Sequence, residues 1–380
     1  MTRALGHAFK LTLLATYLLF TTHAVAASPA ALAKAKNEAE AKGLIFETSH
    51  DAIVAKAKME GNIHVLSSLN PNVYPHMIAT FKKKYPFIDV KMDEITGSDA
   101  AQRFIAEIKA GIATQFDVIR VSSDFYPEYI PHAKKFDVLG MAEQGVIGIS
   151  PKMVDPKNRT IVALGNGLLA VAYNKNRIAE NKVPNRWEDF LKPEFKGRKF
   201  LVDIRPHMYG AFASCPEQGL GPEWMLNYAK KIRAQDPVWF RGNTRALTAI
   251  TSGEYALHSG THYHAAIRAK RKDRTGALQV KLVEPVPLNL IATETVLGLS
   301  SRPYTALLFL EHEASPEGQK LIDEHEPLKA SIHSPGSALA KETQGKQVCV
   351  NGFDTFQKSA FWMGEAVKAF GFPKAERRRR

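Results

Sequence analysis

Cysteine is nearly absent: the 380 residues hold two, Cys215 and Cys349. At most one internal disulfide is available, and the sequence leaves open whether the pair forms one long-range bridge or two separately buried thiols. Beyond the N-terminal block no apolar run reaches the length of a membrane helix. H-E-x-x-H, G-x-S-x-G and P-loop patterns are also missing, which argues against the common hydrolase and nucleotide-binding classes. The sequence shows no nucleic-acid-binding motif, no internal repeat and no low-complexity tract.

The N-terminus is informative by contrast. Arg3 and Lys10 precede the apolar block Leu11 to Phe20, and Ala24-Val25-Ala26 supplies an A-x-A cleavage pattern. That order is a secretory signal peptide over residues 1–26, with an apolar block too short to span a bilayer. The mature chain is expected to start near Ala27, in the periplasm. Residues 27–61 read as an N-terminal extension rich in Ala, Lys and Glu, either helical or loosely attached. The formal charge of +13 loses two with Arg3 and Lys10, and Arg377 to Arg380 carry four more, which leaves +7 on the folded body. Such a body fits an anionic ligand, an acidic docking partner or a merely basic surface. The arginine run at 376–380 reads as a solvated tail.

From Gly61 the chain alternates strand and helix signals. Ile63 to Leu66 predicts a strand, and Val73 to Lys84 a helix capped by Asn70 or Asn72. Ile88 to Met92 predicts a second strand, Ser98 to Gly111 a helix with Phe104, Ile105 and Ile108 on one face, and Phe116 to Val121 a third strand. This spacing predicts a parallel α/β sheet. The apolar stretches Ile161 to Asn174 and Pro285 to Ser301 suit two crossings between lobes, so each lobe is discontinuous in sequence. With 45% hydrophobic residues, two domains are expected.

Several phrases resemble the periplasmic solute-binding proteins of ABC importers, in the ferric-iron-binding branch. They include Phe81-Lys82-Lys83-Lys84-Tyr85-Pro86, Phe116-Asp117-Val118-Ile119, Ser252-Gly253-Glu254 and Ala314-Ser315-Pro316-Glu317-Gly318-Gln319-Lys320. More specific is Asn185-Arg186-Trp187-Glu188-Asp189-Phe190-Leu191-Lys192-Pro193-Glu194-Phe195-Lys196-Gly197-Arg198, which is similar to the segment opening the second lobe in that branch. The resemblance implies an α/β, two-lobed periplasmic binding protein fold of type II, its ligand cleft between lobes joined by two hinge crossings. Lobe 1 is expected over 62–165 and 286–335, and lobe 2 over 166–285 and 336–375. The implied function is non-catalytic capture of a solute for a permease in the inner membrane, by a monomer that binds no nucleic acid.

In open α/β sheets the ligand crevice lies beyond the carboxyl ends of the strands. Ser67 and Ser68 end the first strand and Ser122 and Ser123 the third, so all four are candidate contacts; each pair also suits a capped helix or turn. Arg205 and His207, in the turn after the strand Lys199 to Ile204, have the chemistry to grip a carboxylate or phosphate. Arg241 and Asn243 occupy a further turn. The densest chemistry is His262-Tyr263-His264, where the resemblance implies that Tyr263 matches one tyrosine of a ferric-ligating pair. The flanking imidazoles of His262 and His264 are softer donors, better suited to Zn, Cu, Ni or Fe(II). No cofactor is implied, only Fe(III) as a transported ligand. Ferric iron or an iron complex is the family-level expectation. A small organic anion (a phosphonate, carboxylate or sugar phosphate) is the alternative, and a metal-dependent hydrolase or a signalling receptor domain more distant ones. His64 reads as half-buried and structural, His312 and His325 as surface.

Overall fold

The computed structural model describes residues 27–95, 98–204 and 207–371. The leader (1–26), the basic tail (376–380) and Arg205 lie outside the described residues.

The polar run that follows the leader is folded. Helix α1 (Pro29–Ala41) starts behind Ser28, whose hydroxyl accepts from the Ala31 N–H at 3.3 Å. Helix α2 (His50–Glu60) ends at Gly61, where φ is 80°. Ala39, Phe46, Ile53 and Ala57 are buried in the same apolar cluster as the first strand. A stripe as sparse as Ile53 and Ala57, one helical turn apart, suffices to dock α2. Residues 29–60 are therefore built into the core, which corrects the loosely attached alternative.

Strand β1 (Ile63–Ser67), helix α3 (Tyr74–Lys84), β2 (Val90–Glu94), α4 (Ser98–Lys109) and β3 (Val118–Arg120) follow in the expected alternation, with β1 parallel between β2 and β3. Val73 takes the N-cap position of α3, and Asn70 Oδ1 instead accepts from the Asn72 N–H at 3.1 Å. Short helices α5 (Tyr126–Tyr129) and α6 (Val138–Glu143) lead to β4 (Val162–Asn174), all 13 residues of which are buried. Beyond it come β5 (Phe200–Asp203), α7 (Met208–Ala213), α8 (Pro222–Ala234), β6 (Val238–Phe240), α9 (Asn243–Thr251), β7 (Leu257–His262), α10 (Tyr263–Lys272) and β8 (Leu278–Lys281). Strand β9 (Val286–Val296) then returns antiparallel to β4, Val162 facing Glu294 and Leu168 facing Leu288. The described chain closes with α11 (Pro303–Ala314), α12 (Pro316–His325), α13 (Ala338–Glu342), β10 (Val348–Asn351), α14 (Phe353–Phe356) and α15 (Ser359–Phe370).

The strand order β2-β1-β3-β9-β4-β7-β5-β6 puts the two crossing strands in the middle of a connected sheet, with β10 on β9 and β8 on β4. Separate apolar clusters flank them. One gathers Val65, Phe81, Met141 and Phe309; the other gathers Trp187, Phe200, Phe212, Tyr228 and Phe370. Trp187, from the segment opening lobe 2, is fully buried and donates from Nε1 to the Pro285 carbonyl at 2.8 Å, so its ring packs the second core while its polar edge holds the start of β9. Cys215, just after α7, and Cys349 on β10 form a disulfide. Closing a loop of 134 residues is worth roughly 5 kcal/mol in the chain-entropy account.

The interruption Gly165-Asn166-Gly167 in β4 has a steric cause. A Cβ on Gly165 would lie 2.5 Å from the Lys329 carbonyl oxygen, and one on Gly167 would lie 3.2 Å from His262 Nδ1. Bare backbone here lets the Lys329 loop and His262 press against the crossing strand. Asn166 secures the same loop, its N–H donating to Lys329 O at 2.8 Å and its Oδ1 accepting from the Ile332 N–H at 2.9 Å. His64 is half-buried, with Nε2 2.6 Å from Asp93 Oδ2. His312 departs from the surface expectation: α11 is buried from Thr305 to Ala314, and His312 Nε2 lies 2.8 Å from Thr80 Oγ1.

Candidate functional site

Two cavities flank His262, which lines both. The first, about 190 Å³, is walled by Ser68, Arg120, Ser123 and Lys329, with Leu290, Ile291, Phe356 and His264. The second, about 170 Å³, is walled by Leu169, Val202, Asp203, His207, Met208, Asn243, Ser259 and Gly260. Ser68 follows β1, Ser123 follows β3, and Asp203 and His262 end β5 and β7. Both cavities thus sit at the carboxyl ends of strands, where α/β sheets take ligands.

One member of each serine pair reaches the first cavity. Ser67 is fully buried beneath it, its hydroxyl donating to Glu294 Oε1 at 2.6 Å and accepting from the Leu69 N–H at 3.2 Å. Ser122 is likewise buried, while Ser68 and Ser123 line the wall. Successive side chains of an extended segment point opposite ways, which turns Ser68 to the opening and Ser67 beneath it; Ser123 instead opens a 3-10 turn.

Lys329 is the main charge. It is 5% exposed; Nζ donates to Ser68 O at 3.3 Å and pairs with Glu326 Oε2 at 2.6 Å. Glu326 Oε1 in turn meets Arg268 Nη1 at 3.0 Å, so one carboxylate serves two cations and ties α10 to the end of α12. Burial pushes the Lys329 pKa down; Glu326 opposes that shift, and Arg268 and Arg120 add to it. Among the described lining residues of this cavity there is no carboxylate, and Arg120 adds a second cation. Leu328, next to Lys329, holds φ 59°, and Ala292, on the cavity wall within β9, holds φ 49°. Both lie in the left-handed region that non-glycine residues rarely adopt.

The ring of His262 lies 5.6 Å from His207 and 5.4 Å, stacked, from His264. Nδ1 of His262 and of His264 is buried without a partner. Burial, reinforced by His207, Lys329 and Arg268, holds His262 at about 3; burial, Lys329, His262 and Arg268 hold His264 well below the usual histidine range. Both rings are neutral at neutral pH.

Tyr263 is placed elsewhere. The strand ends at His262 and α10 starts at Tyr263, so strict alternation stops there, and the phenol turns into an apolar cluster with Leu168, Val286, Leu288 and Leu339. It lines neither cavity, and burial, with Glu342 nearby, raises its pKa, the opposite of what a tyrosinate ligand requires. Arg241 is exposed and also lines neither cavity. Asn243 lines the second cavity, its Oδ1 accepting from the Thr261 hydroxyl, and His207 lines it too. Among the described residues no three His, Cys, Asp or Glu side chains form a group able to hold a metal. Sequence reasoning missed Lys329, Arg120, Asp203, Met208 and Ser259; the glycines of β4 were the one clue that another segment presses close.

The family model for bacterial extracellular solute-binding proteins matches residues 121–357. The chain belongs to this family. Comparison with curated proteins gives no match. Among solved structures, apo ferric ion-binding protein A from Pasteurella haemolytica is similar at TM-score 0.62 and 18% identity, over 83% of this chain and 100% of that one. Iron-bound HitA from Pseudomonas aeruginosa follows at 0.59 and 16%, over 81% and 99%. Trichodesmium FutA, in complex with iron and citrate, gives 0.58 and 18%, over 82% and 98%. These likenesses establish the two-lobed fold. As an extracellular solute-binding protein the chain is a non-enzymatic transport component, the solute-binding part of an ABC transporter, whose partners are a permease and a small ligand. No described helix is long and apolar enough to cross a membrane.

Proposed function

We propose that this solute-binding protein is exported to the periplasm, loses residues 1–26, and as a monomer captures a small organic anion, a phosphonate, carboxylate or sugar phosphate, for delivery to an inner-membrane permease. The observation that carries this reading is Lys329: a buried ammonium on the wall of a cavity with Arg120, Ser68 and Ser123. The Lys329 ammonium has three N–H donors, of which Glu326 Oε2 and Ser68 O take two, so a third can serve an incoming anion by a charge-assisted hydrogen bond. The two apolar clusters support division into lobe 1 (62–165 and 286–335) and lobe 2 (166–285 and 336–375), with α1 and α2 added to lobe 1. The crossing strands β4 and β9 are the hinge about which the lobes close.

Ferric iron or an iron complex is the second reading. The names of the similar structures, one iron-bound and one holding iron and citrate together, favour it. A thermal-shift panel of phosphate, methylphosphonate, acetate, gluconate and ferric citrate separates the two. Stabilisation by iron-free anions is expected. A visible iron charge-transfer band, together with no response to any iron-free anion, overturns the anion reading.

A further inference from the structure

Two carboxyls meet in the core behind the first cavity, where binding a solute does not by itself require them. Glu294 on β9 and Glu313 on α11 are both fully buried, and Glu313, when it holds a proton, donates to Glu294. Two carboxylates in contact and out of water cannot both be charged, so the pair keeps a proton between its members. Among the described residues no N–H or O–H group reaches Glu294 Oε2 or either oxygen of Glu313, which leaves that proton to join them. Ser67 of β1 donates to Glu294 Oε1 at 2.6 Å. Arg120 of β3 and Val162 of β4 stand opposite Glu294 in the sheet, and Gln319 of α12 donates to the Glu313 carbonyl at 2.9 Å. Tyr74 of α3 and Lys329, with its partner Glu326, complete the titratable groups that face the pair. Lys329 therefore acts in two directions: its charge favours the ionised form of Glu294, and its third N–H is open to the cavity. An anion seated against Lys329 cancels that charge, so the pair then holds its proton more tightly. By linkage the protonated pair binds the anion more tightly.

We infer that solute capture is proton-linked through Glu294 and Glu313: the anion enters the first cavity as a proton passes from solution onto the pair, and affinity falls when the pair ionises. The inference rests on the anion reading and adds its regulation by pH. Burial, opposed by Ser67 and Lys329, leaves Glu294 at about 7, so affinity is full below that pH and declines above it. Calorimetric titration of the mature chain with acetate, gluconate, inorganic phosphate and methylphosphonate, repeated in buffers of different ionisation heat, counts the protons taken up. The wild type gains a proton with the anion near neutrality, and its affinity falls about fivefold or more between about pH 6 and about pH 8.5. Glu294→Gln keeps an acceptor for Ser67 and a neutral pair, so it binds within about twofold of wild type at about pH 6 and loses both the uptake and the decline. Protons exchanged by the probe itself or by Lys329 are common to both proteins and cancel in the difference. Glu313→Gln is the second variant, also expected to lose the uptake near neutrality, and thermal melts check that each folds. In the wild type alone, infrared difference spectra on adding the probe show a carboxylate band lost and a protonated-carboxyl band gained. Spectra without that change, or equal uptake by the wild type and a folded Glu294→Gln, overturn the proton linkage while the anion reading stands. Failure of all four probes to bind a folded protein overturns both.

Discussion

The two walls of the crevice use opposite strategies. On the lobe 1 side a buried lysine, an arginine and two strand-end serines surround a cavity whose described lining has no carboxylate. On the other side an aspartate, an asparagine, a serine and a methionine make a wall whose described lining holds no Lys or Arg. The difference teaches that two adjoining cavities sharing one histidine can offer a ligand different chemistry. Desolvated charge gives strength, and ordinary hydrogen bonds give discrimination, because an unmet buried donor or acceptor costs more than a met one contributes. Arg268 is the exception that links the walls: it reaches from α10 to Glu326, the same carboxylate that steadies Lys329.

Lys329→Met breaks the contrast most severely. It removes the buried ammonium and leaves Glu326 with Arg268 alone, so binding of the identified anion should weaken by about 2–5 kcal/mol. Calorimetry reads it, and wild-type affinity in a folded variant would place the anion elsewhere. Arg268→Met leaves Lys329 in position but cuts the link between α10 and α12. About 1–3 kcal/mol of interaction is lost, and small-angle scattering of the ligand-free protein should show a wider cleft. An unchanged profile would mean that the bridge does not hold the lobes.

The titratable groups around the walls predict opposing pH arms. Burial depresses the pKa of His262 and His264, so their neutral forms stabilise the fold above the unfolded value of 6.5, and that stability is lost as pH falls toward about 3. Burial raises Glu294 to about 7, and burial with the neighbouring Glu294 raises Glu313 well above the ordinary carboxylate range. Their protonated forms stabilise the fold below the ordinary carboxylate range, and that stability fades as pH rises through about 7. Thermal melts should be highest between about pH 4.5 and 6.5, where the rising histidine contribution offsets the falling carboxyl one, and Glu294→Gln should flatten the alkaline arm; an unaltered arm would show that the pair does not titrate there. The smallest effect is expected of Tyr263→Phe. Its phenol sits in the apolar cluster of Leu168 and Leu339, so ligand affinity should stay within about twofold of wild type. A severe loss would restore it to the site.

The frame of the molecule was legible because it rests on local chemistry. Strand β1, helices α3 and α4 and the two apolar crossings announce themselves by periodicity and length, and the Trp187 segment by its resemblance to one family. Ser68, Ser123, His207, Asn243 and His262 were reachable by asking which residues end strands or occupy turns. Tyr263 lines neither cavity because a strand-to-helix junction at His262 turns one side chain away, and periodicity cannot locate such a junction to the residue. The α2 segment was underestimated because Ile53 and Ala57 make a weak stripe that only its neighbours complete.

By itself the sequence determined the α/β alternation, the two crossings and the family, since those follow from the order of apolar, polar and small residues along one chain. Only the tertiary structure decided that Cys215 meets Cys349, that Gly165 makes room for the Lys329 carbonyl, and that Lys329 stands beside Ser68, 261 residues away. The physical reason is that field, desolvation and cavity shape depend on distances in space, and residues on separate strands and loops carry no mark in the sequence of where they will meet.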